Sequence, residues 1–343
     1  MTLQALSDRI RDAADRKSPL RLRGGGSKDF YGNAARGEVL DTHAYAGIAD
    51  YESSELVITA RCGTPLAEVE EALSGKGQCL PFEPPHFGAA TFGGCVAAGL
   101  SGPRRASAGA LRDFVLGVKL VDGRGRVMQF GGQVMKNVAG YDVSRLVAGS
   151  LGTLGLIAEA SLKVLPRASA ELTLRLEMDE ARALDAMNRW AAEPLPISAT
   201  LWHAGLLDVR LSGSEPAVRG AVQRIGGAEV APGWDAVREH RHPFFAGEAA
   251  LWRLSVPAIA PSVGSPSLVE WGGALRWMRG GEPGEMRQIA QRVGGHATLF
   301  RSADKSAGAF APLEPVLMRL HRALKSAFDP AGILNPGRLY AEL

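Results

Sequence analysis

The chain has 343 residues, 46% of them hydrophobic and 22% charged, with a net charge of +3. That length supports two domains with separate cores, the composition is that of an ordinary globular protein, and the charge is too small for a nucleic-acid platform. Three cysteines, Cys62, Cys79 and Cys95, cannot complete an iron–sulfur cluster or a closed zinc site; no apolar run reaches a membrane span of roughly 20 residues, and the charged N-terminus lacks a secretion signal's apolar core.

In chain order, residues 3–16 predict an amphipathic helix with Leu3, Leu6, Ile10 and Ala13 on one face. A short strand, 20–23, runs into Gly24-Gly25-Gly26-Ser27-Lys28. Three glycines, a hydroxyl and a cation suit a phosphate nest, and equally a plain glycine-rich turn. Strands are expected at 38–42, 47–52 and 55–61. Thr64, Pro65 and Glu68 then predict a helix entered through a capping box and ending at Gly75 or Gly77. Residues 81–85 predict a rigid extended run.

From Gly88 to Gly109 the chain is dense in glycine and alanine, uncharged as far as Pro103, and followed by Arg104 and Arg105. A bare backbone lets a large ligand lie on main-chain N–H groups, and cations at the rim suit an anionic one. Within it, 91–98 predicts a short helix with its first amides toward an anion. A hairpin, 114–121 and 126–130, turns at Asp122-Gly123. The motif Lys136-Asn137-Val138-Ala139-Gly140-Tyr141-Asp142 leads to a helix ending near Val147. A third glycine-rich loop, 149–155, feeds a strand at 156–165.

Beyond Pro166 an antiparallel α+β layer is expected. Its strands lie at 171–177, 198–203, 207–211, 251–256, 268–276 and 296–300, and its helices at 179–190, 216–225 and 285–292. A long amphipathic helix, 313–328, closes the chain before 328–338, Phe-Asp-Pro-Ala-Gly-Ile-Leu-Asn-Pro-Gly-Arg. The spacing G-x-G-x-x-G is absent, which argues against a nicotinamide-type Rossmann unit. There is neither a G-x-S-x-G elbow nor a phosphate-binding P-loop.

Four stretches together resemble the vanillyl-alcohol-oxidase/PCMH family of FAD flavoproteins: 23–28, 88–117, 149–163 (GSLGTLGLIAEASLK) and 328–337 (FDPAGILNPG). KNVAGYD at 136–142 narrows the resemblance to the glycolate and D-lactate dehydrogenase branch. The resemblance implies an α+β fold: a two-lobed PCMH-type FAD-binding domain (1–167), an α+β antiparallel cap (168–312) and a C-terminal helix and tail (313–343) returning to the first domain. It implies that Gly24, Gly25, Gly26 and Ser27, flanked by Arg23 and Lys28, bind the pyrophosphate. Gly93, Gly94, Ala97, Gly99, Ser101, Gly102 and Gly109 would belong to the other lobe's share of the site. Gly152, Gly155 and Ile157 would lie along the ribityl and adenosine side. Covalent members carry His or Cys in a flavin-facing loop; Ser27 and Lys28 here imply noncovalent FAD. Cys95 is expected to be packing.

The branch's catalytic subunits carry a histidine-rich metal motif and a Glu-His pair, which this sequence lacks, so no metal is expected. His296 and Tyr141 remain as candidate catalytic groups. His240 and His242 are expected at the surface. Arg238, Arg241, Arg253, Arg276 and Arg279 suit either docking or ordinary solvated charge. The resemblance further implies a complex that oxidises glycolate, a small 2-hydroxy acid, in which a catalytic flavin subunit and an iron–sulfur subunit accompany this chain. Its compartment would be cytoplasmic, with the membrane reached only through partners and no nucleic acid involved. A self-sufficient flavin oxidase of another hydroxylated substrate and a non-enzymatic scaffold stay open.

Overall fold

The computed structural model describes residues 1–132, 142–264 and 267–343. The motif residues 136–141, Tyr141 among them, lie outside the described residues.

The helix Leu3–Asp15 begins where Thr2 Oγ1 accepts from the Ala5 amide at 3.2 Å. It buries Leu6, Ile10 and Ala13, spaced one and two turns apart, against Leu20, Leu40, Leu156 and Leu334. Strand Leu20–Arg23 pairs in parallel with Glu38–Asp41. Together with the helix it makes the smaller lobe. The larger lobe is a five-stranded antiparallel sheet in the order Ile48–Glu52, Val57–Arg61, Leu156–Lys163, Val115–Val121, Val127–Gly131. Helices Leu66–Ser74 and Phe92–Ala98 cover it, packing Leu66, Val69, Phe92 and Val96 against Ile58, Val118 and Leu162.

The cap is an eight-stranded sheet in the order Ala228–Val230, Ala170–Glu177, Leu206–Gly213, Ile197–His203, Ser267–Glu270, Leu275–Arg279, Leu251–Ser255, His296–Arg301, every pairing antiparallel. Alternate residues face opposite ways. Trp202, Leu207, Val209 and Val269 lie with Ala183, Met187 and Val218 of helices Glu180–Ala191 and Glu215–Ile225. Leu201, Leu268, Trp277 and Phe300 join Tyr31, Leu100 and Leu151 of the two lobes in one apolar cluster. This seam between cap and lobes is also tied by polar contacts. Arg210 reaches Glu83 at 2.9 Å, Glu239 accepts from the Phe87 amide at 2.8 Å, and Trp271 Nε1 donates to the Gly102 carbonyl at 3.0 Å.

Several local expectations are corrected. Thr64 caps no helix: its hydroxyl donates to the Arg61 and Gly47 carbonyls and accepts from the Gly47 amide. The helix starts after Pro65 without a side-chain cap. The expected strand 268–276 is two strands joined by a tight turn at Trp271–Gly273, where Trp271, Gly272 and Gly273 all take positive φ. That turn places Glu270 directly opposite Leu275. The run 81–85 is not extended throughout, because Glu83 has φ +47° and its amide closes a turn on Leu80.

The cap arginines differ in exposure: Arg241 is exposed, and Arg238, Arg253 and Arg279 are half-buried. Arg276 is fully buried, donating to the Gly273 and Ala260 carbonyls and paired with Glu180 at 3.3 Å. Arg253 lies over the Trp271 ring. The expected surface residue His240 is half-buried. It follows the helix Trp234–Arg238 with φ +52°, and its ring stacks on Phe245 at 4.0 Å. Burial, helped by Arg301 and Arg253, lowers its pKa to about 3, so it is neutral at neutral pH. His242 is half-buried, and burial lowers it too.

Candidate functional site

A cleft opens between the two lobes. Three distant segments build it: the turn 23–28, the helix Phe92–Ala98, and the loop leading into strand Leu156–Lys163. Arg23, Gly24, Gly25, Gly26, Ser27, Lys28, Gly93, Gly94, Ala97, Gly152, Gly155 and Ile157 all line it.

The glycines are required first by packing. A Cβ on Gly25 would overlap the Ala89 carbonyl oxygen, one on Gly24 the Thr91 hydroxyl, and one on Gly93 the Cys62 side chain. Gly26 and Gly152 have φ of +68° and +73°, where an L side chain is strained. Close packing thus brings naked main chain to the cleft wall. Among the described residues, the amides of Gly25, Gly26, Ser27 and Lys28 have no protein acceptor. Four free N–H groups on consecutive residues form an anion-binding concavity.

Two side chains are poised the same way. Thr91 is buried, its Oγ1 has no hydrogen-bond partner, and it faces the cleft. Lys28 has no carboxylate within 4 Å among the described residues. Burial lowers its pKa, while the Cys95 and Glu239 charges oppose that. Its ammonium donates to the His86 carbonyl at 3.2 Å. An unpartnered hydroxyl, four free amides and an uncompensated cation fit the diphosphate of a dinucleotide. The chemistry of this lining suits the diphosphate of FAD.

The amides at the start of helix Phe92–Ala98 do not all face an anion, as its sequence suggests. Those of Phe92 and Gly93 already donate to the Thr64 and Cys62 carbonyls, at 2.8 and 2.9 Å. The cysteine lining the cleft is Cys62, whereas Cys95 is buried outside it; burial raises both thiols to about 12.

Other predicted positions lie elsewhere. Gly99 ends the helix Phe92–Ala98 in the left-handed region, and a Cβ there would press on Gly149. Gly109 ends the helical turn Arg105–Ala108. Ser101 and Gly102 line a second cavity, in the seam beneath the cap. His296 is exposed at the start of strand His296–Arg301 and lines neither cavity. Among the described residues, no three His, Cys, Asp or Glu side chains converge as a metal would need.

The C-terminal tail contributes two residues that local patterning did not single out. Asn335 accepts from the Leu22 amide at 2.8 Å and donates to the Leu151 carbonyl at 2.6 Å, bridging the first and third cleft segments. Arg338 donates to the Asp29 carbonyl at 2.9 Å. Both line the cleft.

Comparison with known proteins identifies the family. Residues 2–131 match the family model for an FAD binding domain, and residues 308–339 match that for the FAD linked oxidases' C-terminal domain. The chain is 48% identical to glycolate oxidase subunit GlcE of Escherichia coli, over 99% of this chain and 98% of that one. It is 34% identical to glycolate oxidase subunit GlcD of Bacillus subtilis, covering 37% of this chain and 27% of that one. It is 31% identical to a D-lactate dehydrogenase of Archaeoglobus fulgidus, over 52% of this chain and 40% of that one. Among solved structures, an alkyldihydroxyacetonephosphate synthase superposes with a TM-score of 0.70 at 16% identity, covering 96% of this chain and 75% of that one.

Proposed function

The chain belongs to the family of FAD-linked oxidases that includes the Escherichia coli subunit, and from that premise we propose that it is the FAD-binding subunit of a glycolate-oxidising complex. In this reading a catalytic flavin subunit oxidises glycolate to glyoxylate, this chain receives the electrons, and an iron–sulfur subunit takes them onward. The chain divides into an FAD-binding domain (1–167), a cap (168–312) and a returning tail (313–343).

One observation carries the reading. Likeness to GlcE runs end to end, whereas likeness to GlcD and to the D-lactate dehydrogenase covers under half of those chains. The reading therefore follows the GlcE-type subunit rather than the GlcD type or the D-lactate dehydrogenase.

Bound FAD supplies an acceptor of two electrons that can be passed on singly. The protein's part is binding and placement. The amides of 25–28 and the Thr91 hydroxyl hold the diphosphate, Lys28 balances its charge, and the Asn335 bridge fixes the spacing of the loops. No helix of the described residues is long and apolar enough to cross a membrane.

The test is anaerobic addition of glycolate to the purified yellow chain. Its flavin absorbance stays oxidised alone and bleaches once the catalytic flavin subunit is added. Bleaching by glycolate alone overturns the relay and makes the chain a self-sufficient dehydrogenase.

A further inference from the structure

The C-terminal helix Pro315–Phe328 turns its apolar side to solvent. A helix on a protein surface ordinarily packs its apolar stripe on the core and gives its charges to water. Here Lys325 is the buried residue, and Leu324 and Phe328 pack only in part against the core of the larger lobe. Val316, Leu320, Ala323 and Ala327 recur at spacings of four, three and four residues, which puts them on one side of the helix, and all four are exposed. Leu317 lies beside them; it, Val316 and Leu320 are 48%, 57% and 56% exposed. Scattered apolar side chains on a surface need no explanation, but a row along about three turns of one helix marks a contact.

The charge beside the row is of one sign. Arg319 and Arg322 flank it, both exposed. Among the described residues neither has a carboxylate within 4 Å, although Glu342 lines the same groove as both. Lys325 is already matched by Asp329 at 2.8 Å. Beyond the two arginines that groove is lined by Phe310, Leu313, Met318 and Leu339. Unpaired arginines set between an apolar row and an apolar groove complement a surface that is apolar with acids at its edge.

Three kinds of occupant cover an apolar row. A second copy supplies no acid, since residues 315–328 contain neither Asp nor Glu, and it would bring arginine to arginine. A bilayer gains little, because the row narrows to alanine over its second half and carries no aromatic side chain. Those alanines suit another helix: small side chains let two axes approach closely, and the alternation of three and four is that of a helix-pairing seam.

We infer that this face docks an amphipathic helix of a different protein subunit, its apolar seam on Val316, Leu320, Ala323 and Ala327 and its carboxylates on Arg319 and Arg322. The site stands behind the FAD cleft. Lys325, on the opposite side of the same helix, donates to the Thr153 carbonyl in the loop leading into strand Leu156–Lys163, at 2.9 Å. The inference rests on the proposed function for its probes, the catalytic flavin subunit and the iron–sulfur subunit.

The test is sedimentation titration of the FAD-loaded full-length chain with those two subunits, singly and together. The wild-type chain should associate, and more weakly as salt rises. Leu320→Asp and the double variant Arg319→Glu/Arg322→Glu should each weaken association by about tenfold or more. Leu320→Cys should react with a maleimide in the free chain, above the background of the native cysteines, and be protected in the complex. Flavin absorbance of each variant reports folding and the FAD site. Association that both charge-bearing variants leave unchanged, with Leu320→Cys labelled as fast in the complex as alone, overturns the inference and leaves the proposed complex standing. A wild-type chain that joins neither subunit overturns both. Self-association, or binding to phosphatidylglycerol vesicles, that Leu320→Asp abolishes while the subunits still associate gives this face to a second copy or a lipid surface and overturns the inference as well.

Discussion

Single residues carry unequal weight at the cleft. Gly25 is the tightest glycine there, since any side chain would meet the Ala89 backbone rather than a movable group. Gly25→Ala must displace the nest, at a strain of roughly 1–3 kcal/mol, or about ten- to hundredfold in FAD affinity. FAD dissociation constants from fluorescence titration of the apo-protein check this; unchanged affinity would mean that the amides of 25–28 do not touch the cofactor. Glu270 makes a prediction of opposite character. Its folded-state pKa of about 7 lies above the ordinary 4.5, so the folded chain holds a proton that the unfolded chain releases. Stability should therefore fall as pH rises from about 4.5 to about 7, by about 3 kcal/mol for this group, and then level off. Glu270→Gln should flatten that slope in urea melts across the range, and a slope that persists would assign it to other groups.

At the scale of elements, amphipathic helices were readable from spacing alone, as with Leu6, Ile10 and Ala13. Elements governed by a turn were not. Trp271 at positive φ splits what patterning reads as one strand, because backbone strain leaves no mark on hydropathy. Thr64 shows the same limit: capping-box spacing is present, but tertiary carbonyls claim the hydroxyl. The C-terminal helix Pro315–Phe328 is anchored by its one buried residue, Lys325. Its ammonium donates to the Thr153 and Leu334 carbonyls at 2.9 and 2.7 Å and pairs with the buried Asp329 at 2.8 Å. Lys325→Met strands a buried carboxylate, so a loss of about 3–5 kcal/mol is expected in urea unfolding. A loss under about 1 kcal/mol would mean that water enters and replaces the lysine. Because Leu334 leads directly to Asn335, the same variant should also release FAD faster.

For the whole molecule, the bare glycine segments announced a place for an anionic dinucleotide locally, while FAD and the two-lobe plan were what the family resemblance implied. What the sequence concealed was the seam. The cap's inner face, with Leu201, Trp277 and Phe300, meets Tyr31 and Leu151 across long stretches of chain, and half-buried His240 adds to its neighbour Phe245 the distant rings of Phe87, Trp277 and Phe300. Asn335 was hidden for the same reason, its acceptor bond reaching back 313 residues to Leu22. The cleft draws on the same long reach, joining segments 23–28, 91–98 and 151–157 with the tail residues Asn335 and Arg338. The most direct test of the claim that this cleft holds FAD noncovalently is acid precipitation of the purified chain, with flavin measured in supernatant and pellet. About one FAD per chain in the supernatant is expected; a colourless protein that stays so after incubation with FAD, or flavin that remains in the pellet, contradicts it.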